Sequence, residues 1–429
     1  MWVGVESARM TDHDLYQQIL GLTPPWRVRT VDLRLDDEEV LVHVVQDASL
    51  GQALCPECRT ACPGYDTAKE RRWRHLDTCQ LKTYLVCSVP RVSCPQHGVH
   101  VAYVPWSDPG SGFTAAFEAL AITVLKATVV QSRAAHLLRL SESQVHDLMH
   151  RAVERGMLRR DATQIMPHLG IDEKSIHRGH SYMSVLTDTD HRRVLELVEG
   201  RTLAAARSLL SEALGAGQKS QVRSVSMDMW PAFQSAQEHE LPEADRVHDR
   251  FHVVKYLFHV VKYLAEAVDQ TRRSEHARLC KAGDTTLSRT KYVWLKNPQN
   301  LTPKQKELFG ALVQTDLETA KVWAFKDTFQ EFFACTDMAQ GKAFFANWYD
   351  AAMRLNNRYL TKVATMLEGH LTGLLNYLKH RTTNASAESM NGRIQQIKAS
   401  ARGFRRFTSF RVAILFHLGK LDLYPHKSL

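Results

Sequence analysis

The chain has 429 residues, enough to bury several hydrophobic cores, and its 44% hydrophobic and 24% charged content is that of a globular protein. No apolar run approaches the roughly 18 residues that a membrane-spanning helix needs, and the first residues lack the apolar core of a secretory signal, so a cytoplasmic protein with no membrane partner is expected. The 55 lysines and arginines against 46 acids give a formal charge of +9 and a pI near 9.1, which favours a polyanionic partner over an acidic or apolar one.

The opening 1–50 region reads as a small β-rich lead-in, with Arg27–Val45 alternating apolar and polar residues on either side of Asp36-Asp37 as a hairpin does. Six of the eight cysteines then fall between Cys55 and Cys94. Such clustering in a cytoplasmic protein points to metal before disulfides. Cys55-Pro-Glu-Cys58 is answered by Cys94-Pro-Gln-His97-Gly98, two tight turns that each offer two soft ligands, a pattern suited to tetrahedral Zn²⁺; Gly98 permits a positive φ. Buried free thiols are the alternative. The strands expected within Trp73–Val89 would bring the two turns together. Cys62, Cys79 and Cys87 lack paired spacing and read as core, and His75 and His100 are weaker candidates for a ligand. A closed four-ligand zinc stabilises a fold and does not catalyse.

Phe113–Met157 reads as helical, with Phe117, Leu120, Val124 and Leu125 as one apolar face. Ser132 is expected to cap a short helix ending at Leu138. Arg139-Leu140-Ser141 follows as a turn, and Ser141 or Ser143 caps a longer helix through Glu154. These lengths match a helix-turn-helix, with Gln144, His146, Asp147 and His150 on or near the exposed side of its second helix. Helix pairs of this kind also occur in proteins that do not bind DNA.

A short apolar lead, Leu169 and Ile171, delivers Asp172 at a strand start. Strands are expected at Ser181–Thr187 and Arg193–Glu199, a helix at Leu203–Leu214, and a third strand at Gln221–Met227 ending in Asp228. Pro231 suits the first turn of the next helix. A short strand Asp245–His248 ends in Asp249, with His252 three residues on. Phe251–Leu257 recurs unchanged as Phe258–Leu264. A seven-residue copy within a helix turns the following face by only about 20° and carries it about 10 Å along the axis, so the apolar face Phe251, Val254, Leu257, Phe258, Val261 and Leu264 survives. From Ala265 to about Arg381 the chain reads as helical, with Trp294, Trp323, Phe325, Phe329, Phe332, Phe333, Phe344, Phe345 and Trp348 as packing and a loop at 297–303.

In Thr382–Arg411, Asn384, Glu388 and Asn391 share one helical face by their spacing. Arg393, Lys398, Arg402, Arg405, Arg406 and Arg411 follow with no acid until Asp422, as a carboxylate working beside a phosphate backbone would want. A solvated basic face is the plainer alternative. Two aspartates at the ends of nearby strands and a glutamate on a distant helix can clamp two divalent metals for in-line phosphoryl displacement; oxygen ligands suit Mg²⁺ or Mn²⁺.

The ordered set Cys55-Pro-x-Cys58 with Cys94-Pro-x-His97-Gly98, Gly170-Ile-Asp172-Glu-Lys-Ser, Gly179-His-Ser-Tyr182, Val225-Ser-Met-Asp228-Met-Trp230, Asp249-Arg-Phe-His-Val-Val254 and Asn384-x3-Glu388-Ser-x-Asn391-Gly392 resembles the DDE transposases of the ISL-three family of bacterial insertion sequences, over nearly the full length. The resemblance implies an α+β multidomain protein: a small zinc-binding module, a helix-turn-helix, and an RNase H-like α/β catalytic core interrupted by an all-helical insertion. The boundaries expected are 1–110 for the lead-in and zinc module, 111–160 for the helix-turn-helix, 161–264 for the first part of the core, 265–381 for the insertion and 382–429 for the rest of the core with its basic helix. Asp172, Asp228 and Glu388 are then the catalytic triad and the Mg²⁺ (or Mn²⁺) ligands, with Asp249, His252, Asn384 and Asn391 accessory. Cys55, Cys58, Cys94 and His97 hold structural Zn²⁺, and Gln144, His146, Arg393, Lys398, Arg402, Arg405 and Arg406 meet DNA.

The implied partners are terminal inverted repeats and target DNA, engaged by a homodimer or higher oligomer in the nucleoid. The duplicated heptad departs from the family pattern. It is the best support for another reading, a DNA-binding regulator with an impaired catalytic domain; a third is an RNase H-like nuclease acting on RNA or junctions.

Overall fold

The computed structural model describes residues 10–176, 182–227, 230–248, 250–296, 298–380, 385–401, 403–404 and 406–425, with backbone alone at 248, 250–262, 298, 377, 380 and 385–388. The chain forms two compact units, residues 1–160 with 421–429, and residues 161–420.

In the first unit, helix α1 (Asp12–Ile19) precedes the hairpin as an element not expected in the β-rich lead-in. A reciprocal cap explains it: the Thr11 hydroxyl accepts from the Asp14 amide, and the Asp14 carboxylate accepts from the Thr11 amide. Strands β1 (Trp26–Arg34) and β2 (Glu39–Gln46) then pair antiparallel across the Asp36-Asp37 turn. Five strands follow: β3 (Gly64–Thr67), β4 (Arg71–Arg74), β5 (Lys82–Cys87), β6 (Pro90–Cys94) and β7 (Gly98–Val101). They form two sheets, β1-β2-β5-β4 and β3-β6-β7. The strands within Trp73–Val89 therefore extend the hairpin's sheet, and it is β6 with β3 and β7 that carries the second cysteine turn. Trp26, Trp73 and Trp106 meet edge to face in the core of this unit.

Cys62 and Cys87 are buried as expected, but Cys79 is exposed. It sits with Gln80 at the tip of the β4–β5 hairpin, where Thr78 and Leu81 exchange backbone hydrogen bonds. Both tip residues have positive φ, 48° and 71°, as a type I′ turn requires, and the turn carries Cys79 out of the core.

The rest of the unit is helical: α2 (Ala115–Thr128), α3 (Gln131–Leu138) and α4 (Glu142–Leu158). The buried face of α2 is Phe117, Glu118, Ala121, Ile122 and Leu125, and Leu120 is exposed. Glu118 turns the helix this way, because its buried carboxylate accepts from Arg151, Arg155 and Ser111. Nor is Ser132 a cap: Val129, at φ 57°, lets α3 begin after only two intervening residues, with Val130 at the cap position. Ser141 does cap α4, in a reciprocal pair with Gln144. Residues 421–425 lie along α4, where Arg155 and Arg159 donate to the carbonyls of Leu423 and Tyr424. Gly156 makes this approach possible, since a Cβ there would lie 2.6 Å from that of Leu421.

The second unit is built on a five-stranded sheet, ordered β10-β9-β8-β11-β12, from β8 (His168–Ser175), β9 (Tyr182–Asp188), β10 (Arg193–Glu199), β11 (Ser224–Met227) and β12 (Asp245–His248). The first three are antiparallel, while β8, β11 and β12 run parallel. Asp172 is thus not at a strand start but the fifth residue of an eight-residue central strand. Helices α5 (Leu203–Ala213), α6 (Ala216–Lys219) and α7 (Pro231–Glu240) connect the strands, and Leu209, Leu210 and Phe233 pack with Leu169, Ile171 and Met227 against one face.

Helix α8 (Arg250–Lys281) runs without a break through the repeated heptad, whose apolar face lies outside the described side chains apart from Leu264, which is buried. Helices α9 (Lys291–Leu295), α10 (Pro303–Val313), α11 (Glu318–Thr328), α12 (Met338–Arg354), α13 (Arg358–Gly369) and α14 (Leu371–His380) follow, with a 3₁₀ turn at Pro298–Asn300 inside the expected loop. Trp294, Trp323, Phe329, Phe332, Phe345 and Trp348 are buried together here, and Phe325, Phe333 and Phe344 pack at their edge, so the aromatic stripe is core. Helices α15 (Ala385–Ser400) and α16 (Phe407–Leu418) complete the unit.

Candidate metal and nucleic-acid sites

The zinc candidates converge. Cys55, Cys58, Cys94 and His97 bring their ligand atoms within 4.8 Å of one another. The first turn is closed by a hydrogen bond from the Cys55 amide to the Thr60 carbonyl and by Arg59 at φ 59°. The second is the tip of the β6–β7 hairpin, where Cys94 pairs with Gly98 at φ 79°. Cys58 Sγ lies 3.7 Å from Cys94 Sγ, and His97 Nδ1 lies 3.5 Å from Cys94 Sγ and 3.8 Å from Cys55 Sγ. Tetrahedral Zn²⁺ with bonds of about 2.3 Å to sulfur sets its ligands roughly 3.7 Å apart, so the donors and their spacing fit the ion. Hydrogen bonds from Thr60, side chain and backbone, hold the Cys58 thiol down to about 6, in favour of the thiolate a metal needs. His75 and His100 take no part in the cluster: buried His75 bonds Thr114 Oγ1 at 2.9 Å, and His100 meets the His97 carbonyl at 2.6 Å.

On α4, Gln144, Asp147 and His150 are exposed and His146 is half-buried, while Val145, Leu148 and Met149 pack inward. Gln144 spends its amide oxygen on the Ser141 cap, which leaves its NH₂ group for other partners. Arg139, in the turn before α4, donates to the Gln80 carbonyl and pairs with Asp77 and Glu38, tying the helix pair to the β1-β2-β5-β4 sheet.

In the second unit, the Asp172 side chain is held from three directions. Its Oδ1 accepts from the Glu173 amide at 2.7 Å; its Oδ2 accepts from Asn391 Nδ2 at 2.6 Å and meets Lys174 Nζ at 3.1 Å. Strand alternation points Ile171 into the core beneath α5 and α7, and Asp172 with Lys174 to the other face, where α15 lies. Helix α15 seats itself by Met390, Ile394 and Ile397, a buried i, i+4, i+7 stripe that leaves Asn391 beside the sheet. Lys398 extends the contact by donating to the Ser175 carbonyl at 3.0 Å. Strand β11 runs beside β8 in parallel register, with Met227 opposite Ile171, the residues just before Asp228 and Asp172.

Asp228, Asp249, Asn384, Arg402 and Arg405 lie outside the described residues. Glu388 and His252 are described only as helical backbone, in α15 and α8. Arg393 and Arg406 are exposed. Arg411 is not a free phosphate ligand, because its guanidinium forms two 2.6 Å hydrogen bonds with Glu196, a buried acid of β10. Lys174 was missed in the sequence. It follows Asp172 by two residues, the spacing of one strand face, and would have been legible had the strand been extended through Ser175.

Comparison with known proteins agrees with this layout. The model of DDE transposases of the ISL3 type, described as transposase, matches residues 169–414. The zinc-finger of transposase IS204/IS1001/IS1096/IS1165 matches 51–97, and the helix-turn-helix domain of transposase family ISL3 matches 103–153. The transposase for insertion sequence element IS1557 of Mycobacterium tuberculosis is 26% identical over 415 residues, 91% of this chain and 92% of that protein. The transposase for insertion sequence element IS1001 of Bordetella parapertussis is 26% identical over 356 residues, 82% and 85% of the two chains. With its zinc finger, helix-turn-helix and catalytic domain in one order along one polypeptide, the chain belongs to the ISL3 family of transposases.

Proposed function

We propose that this transposase cuts and joins DNA by a DDE two-metal reaction at Asp172, Asp228 and Glu388, after its zinc module and helix-turn-helix have bound the terminal inverted repeats of an insertion sequence. The observation that carries the reading is the 2.6 Å hydrogen bond from Asn391 to Asp172, which joins residues 219 positions apart and brings the helix that bears Glu388, one turn before Asn391, against the strand that bears Asp172. The parallel register of β11 with β8 supports Asp228 as the second acid, since the residues preceding the two aspartates are paired. A core of this topology, closed by a C-terminal helix and interrupted from within α8 to the end of α14, is read as RNase H-like with a helical insertion. The domain boundaries proposed are 1–110, 111–160, 161–264, 265–381 and 382–429.

An acid already held among an amide, an ammonium and a backbone N–H offers hard oxygen donors, which suits Mg²⁺ or Mn²⁺. A bound divalent cation would supply Lewis-acid activation of water and neutralise charge on the phosphate. Asp172 would then hold the ion, with Asn391 orienting Asp172 and Lys174 adding positive charge beside the phosphodiester. Arg393, Lys398, Arg402, Arg405 and Arg406 grip the backbone of the cut strand, and Gln144 and His146 face the bases of the terminal repeat. The accessory positions Asp249, His252 and Asn384 shape the site. Two ends must be held at once, so the working form is a homodimer or larger on DNA, in the bacterial nucleoid.

The test is incubation of the full chain and Mg²⁺ with duplex carrying the element's ends. Strand scission that leaves 3′-hydroxyl termini, joins them to target DNA and forms no protein–DNA adduct is expected. Scission through a covalent adduct would overturn the mechanism.

A further inference from the structure

Trp230 stands apart from the other described tryptophans. It is 39% exposed, whereas Trp26, Trp73, Trp106, Trp294, Trp323 and Trp348 are at most 9% exposed. A single exposed ring is ordinary on a protein surface and by itself points to nothing. Yet this ring is held firmly. Its indole N–H donates to the Arg201 carbonyl at 3.0 Å, and the Arg201 guanidinium lies 4.6 Å from the ring centroid. The same guanidinium lies 4.1 Å from the Tyr182 ring and is anchored by both carboxylate oxygens of Glu173 at 3.3 Å. The backbone is restricted as well, since Trp230 precedes Pro231 at the start of α7 and is extended at φ −72°, ψ 123°.

We propose that Trp230 is a stacking platform for an unpaired base of the DNA strand at the cleavage site. The proposal rests on the strand-cleavage reading above. Aromatic rings recognise single-stranded nucleic acid by stacking on bases of any identity, and an immobilised ring gives up little freedom when a base settles on it. Position selects the ligand. Trp230 lies two residues beyond Asp228 in the chain and is tied through Arg201 to Glu173, the neighbour of Asp172. Strand alternation points Glu173 away from the face that carries Asp172, so the platform serves a base flanking the scissile phosphate and not that phosphate itself. A duplex offers no free base face there. The ring therefore favours ends that are splayed open and helps to hold the cut strand in register.

Because stacking tolerates any sequence, the test does not need the element's ends. Fluorescence anisotropy of a labelled oligothymidylate of about 20 nucleotides, and of a duplex of equal length, is measured with the full chain without added divalent ion. Trp230→Ala and Trp230→Leu should each weaken single-strand binding about tenfold or more and leave duplex binding within about twofold, while Trp230→Phe, which keeps a π face, should stay within about threefold of wild type. Unchanged single-strand binding in Trp230→Ala would overturn the proposal and leave the ring for a different partner. Equal losses on single strand and duplex, or a Trp230→Leu variant that binds like wild type, would overturn it too. None of these readouts depends on cleavage, so inactivity of the wild type would sink the proposed reaction and leave the platform standing.

Discussion

Asp172 is the residue on which the proposed reaction turns, and its partners say how its side chain is held. A carboxylate that accepts from the Glu173 amide and the Asn391 side chain and meets Lys174 is fixed in orientation. In the proposed reaction Asn391 positions Asp172, and its loss should be felt in rate and not in DNA affinity. A hydrogen bond to a charged group contributes about 1.5–3 kcal/mol, or roughly 10- to 100-fold in rate, so Asn391→Ala should slow single-turnover cleavage by about that factor. Asn391→Asp, which sets a like charge against Asp172, should be no better. An Asn391→Ala enzyme that cleaves at the wild-type rate would show the contact to be incidental. At this scale the sequence was informative where spacing is local. Asn391 could be placed on the face of Glu388 from helical periodicity alone. Arg411 was misread for the opposite reason: a basic run looks solvent-facing, and its partner Glu196 lies 215 residues away in the chain.

The zinc turns were legible because each is a short local motif, and the cysteines and histidine meet as their spacing suggested. What brings them together was not legible in detail. Strand pairing between β3, β6 and β7 depends on contacts remote in sequence, so the strands expected within Trp73–Val89 form, but they join the hairpin's sheet and it is β6 and β7 that carry the second turn. Central strand β8 begins four residues before Asp172 and not at it: residues 169–171 are all buried and show no alternation, so they read only as an apolar lead. Helix α2 presented Leu120 as core by periodicity, whereas the buried Glu118 with Arg151 and Arg155 sets its rotation. Zinc is expected at about one ion per chain, and Cys94→Ala should lower that to near zero. The same change should destabilise the first unit and abolish duplex binding without altering the helical content of the second. Metal analysis with circular dichroism checks both, and full zinc retention in Cys94→Ala would remove Cys94 from the ligand set.

Across the whole molecule, the proposed chemistry would draw its acids from three distant parts of the chain, and composition points only to the broad class of partner. The excess of +9 points to nucleic acid but not to which surface meets it. The proposed reaction requires Asp172, Asp228 and Glu388 to act as one metal-binding set. Its most direct measurement is the Mg²⁺-dependent cleavage rate of end-containing duplex by wild type and by Asp172→Ala, Asp228→Ala and Glu388→Ala, each shown to bind that duplex normally. Loss of at least about a thousandfold in every variant, with no further loss on combining two, is the result expected of groups that act as a unit. Cleavage at the wild-type rate by any of the three would contradict the assignment.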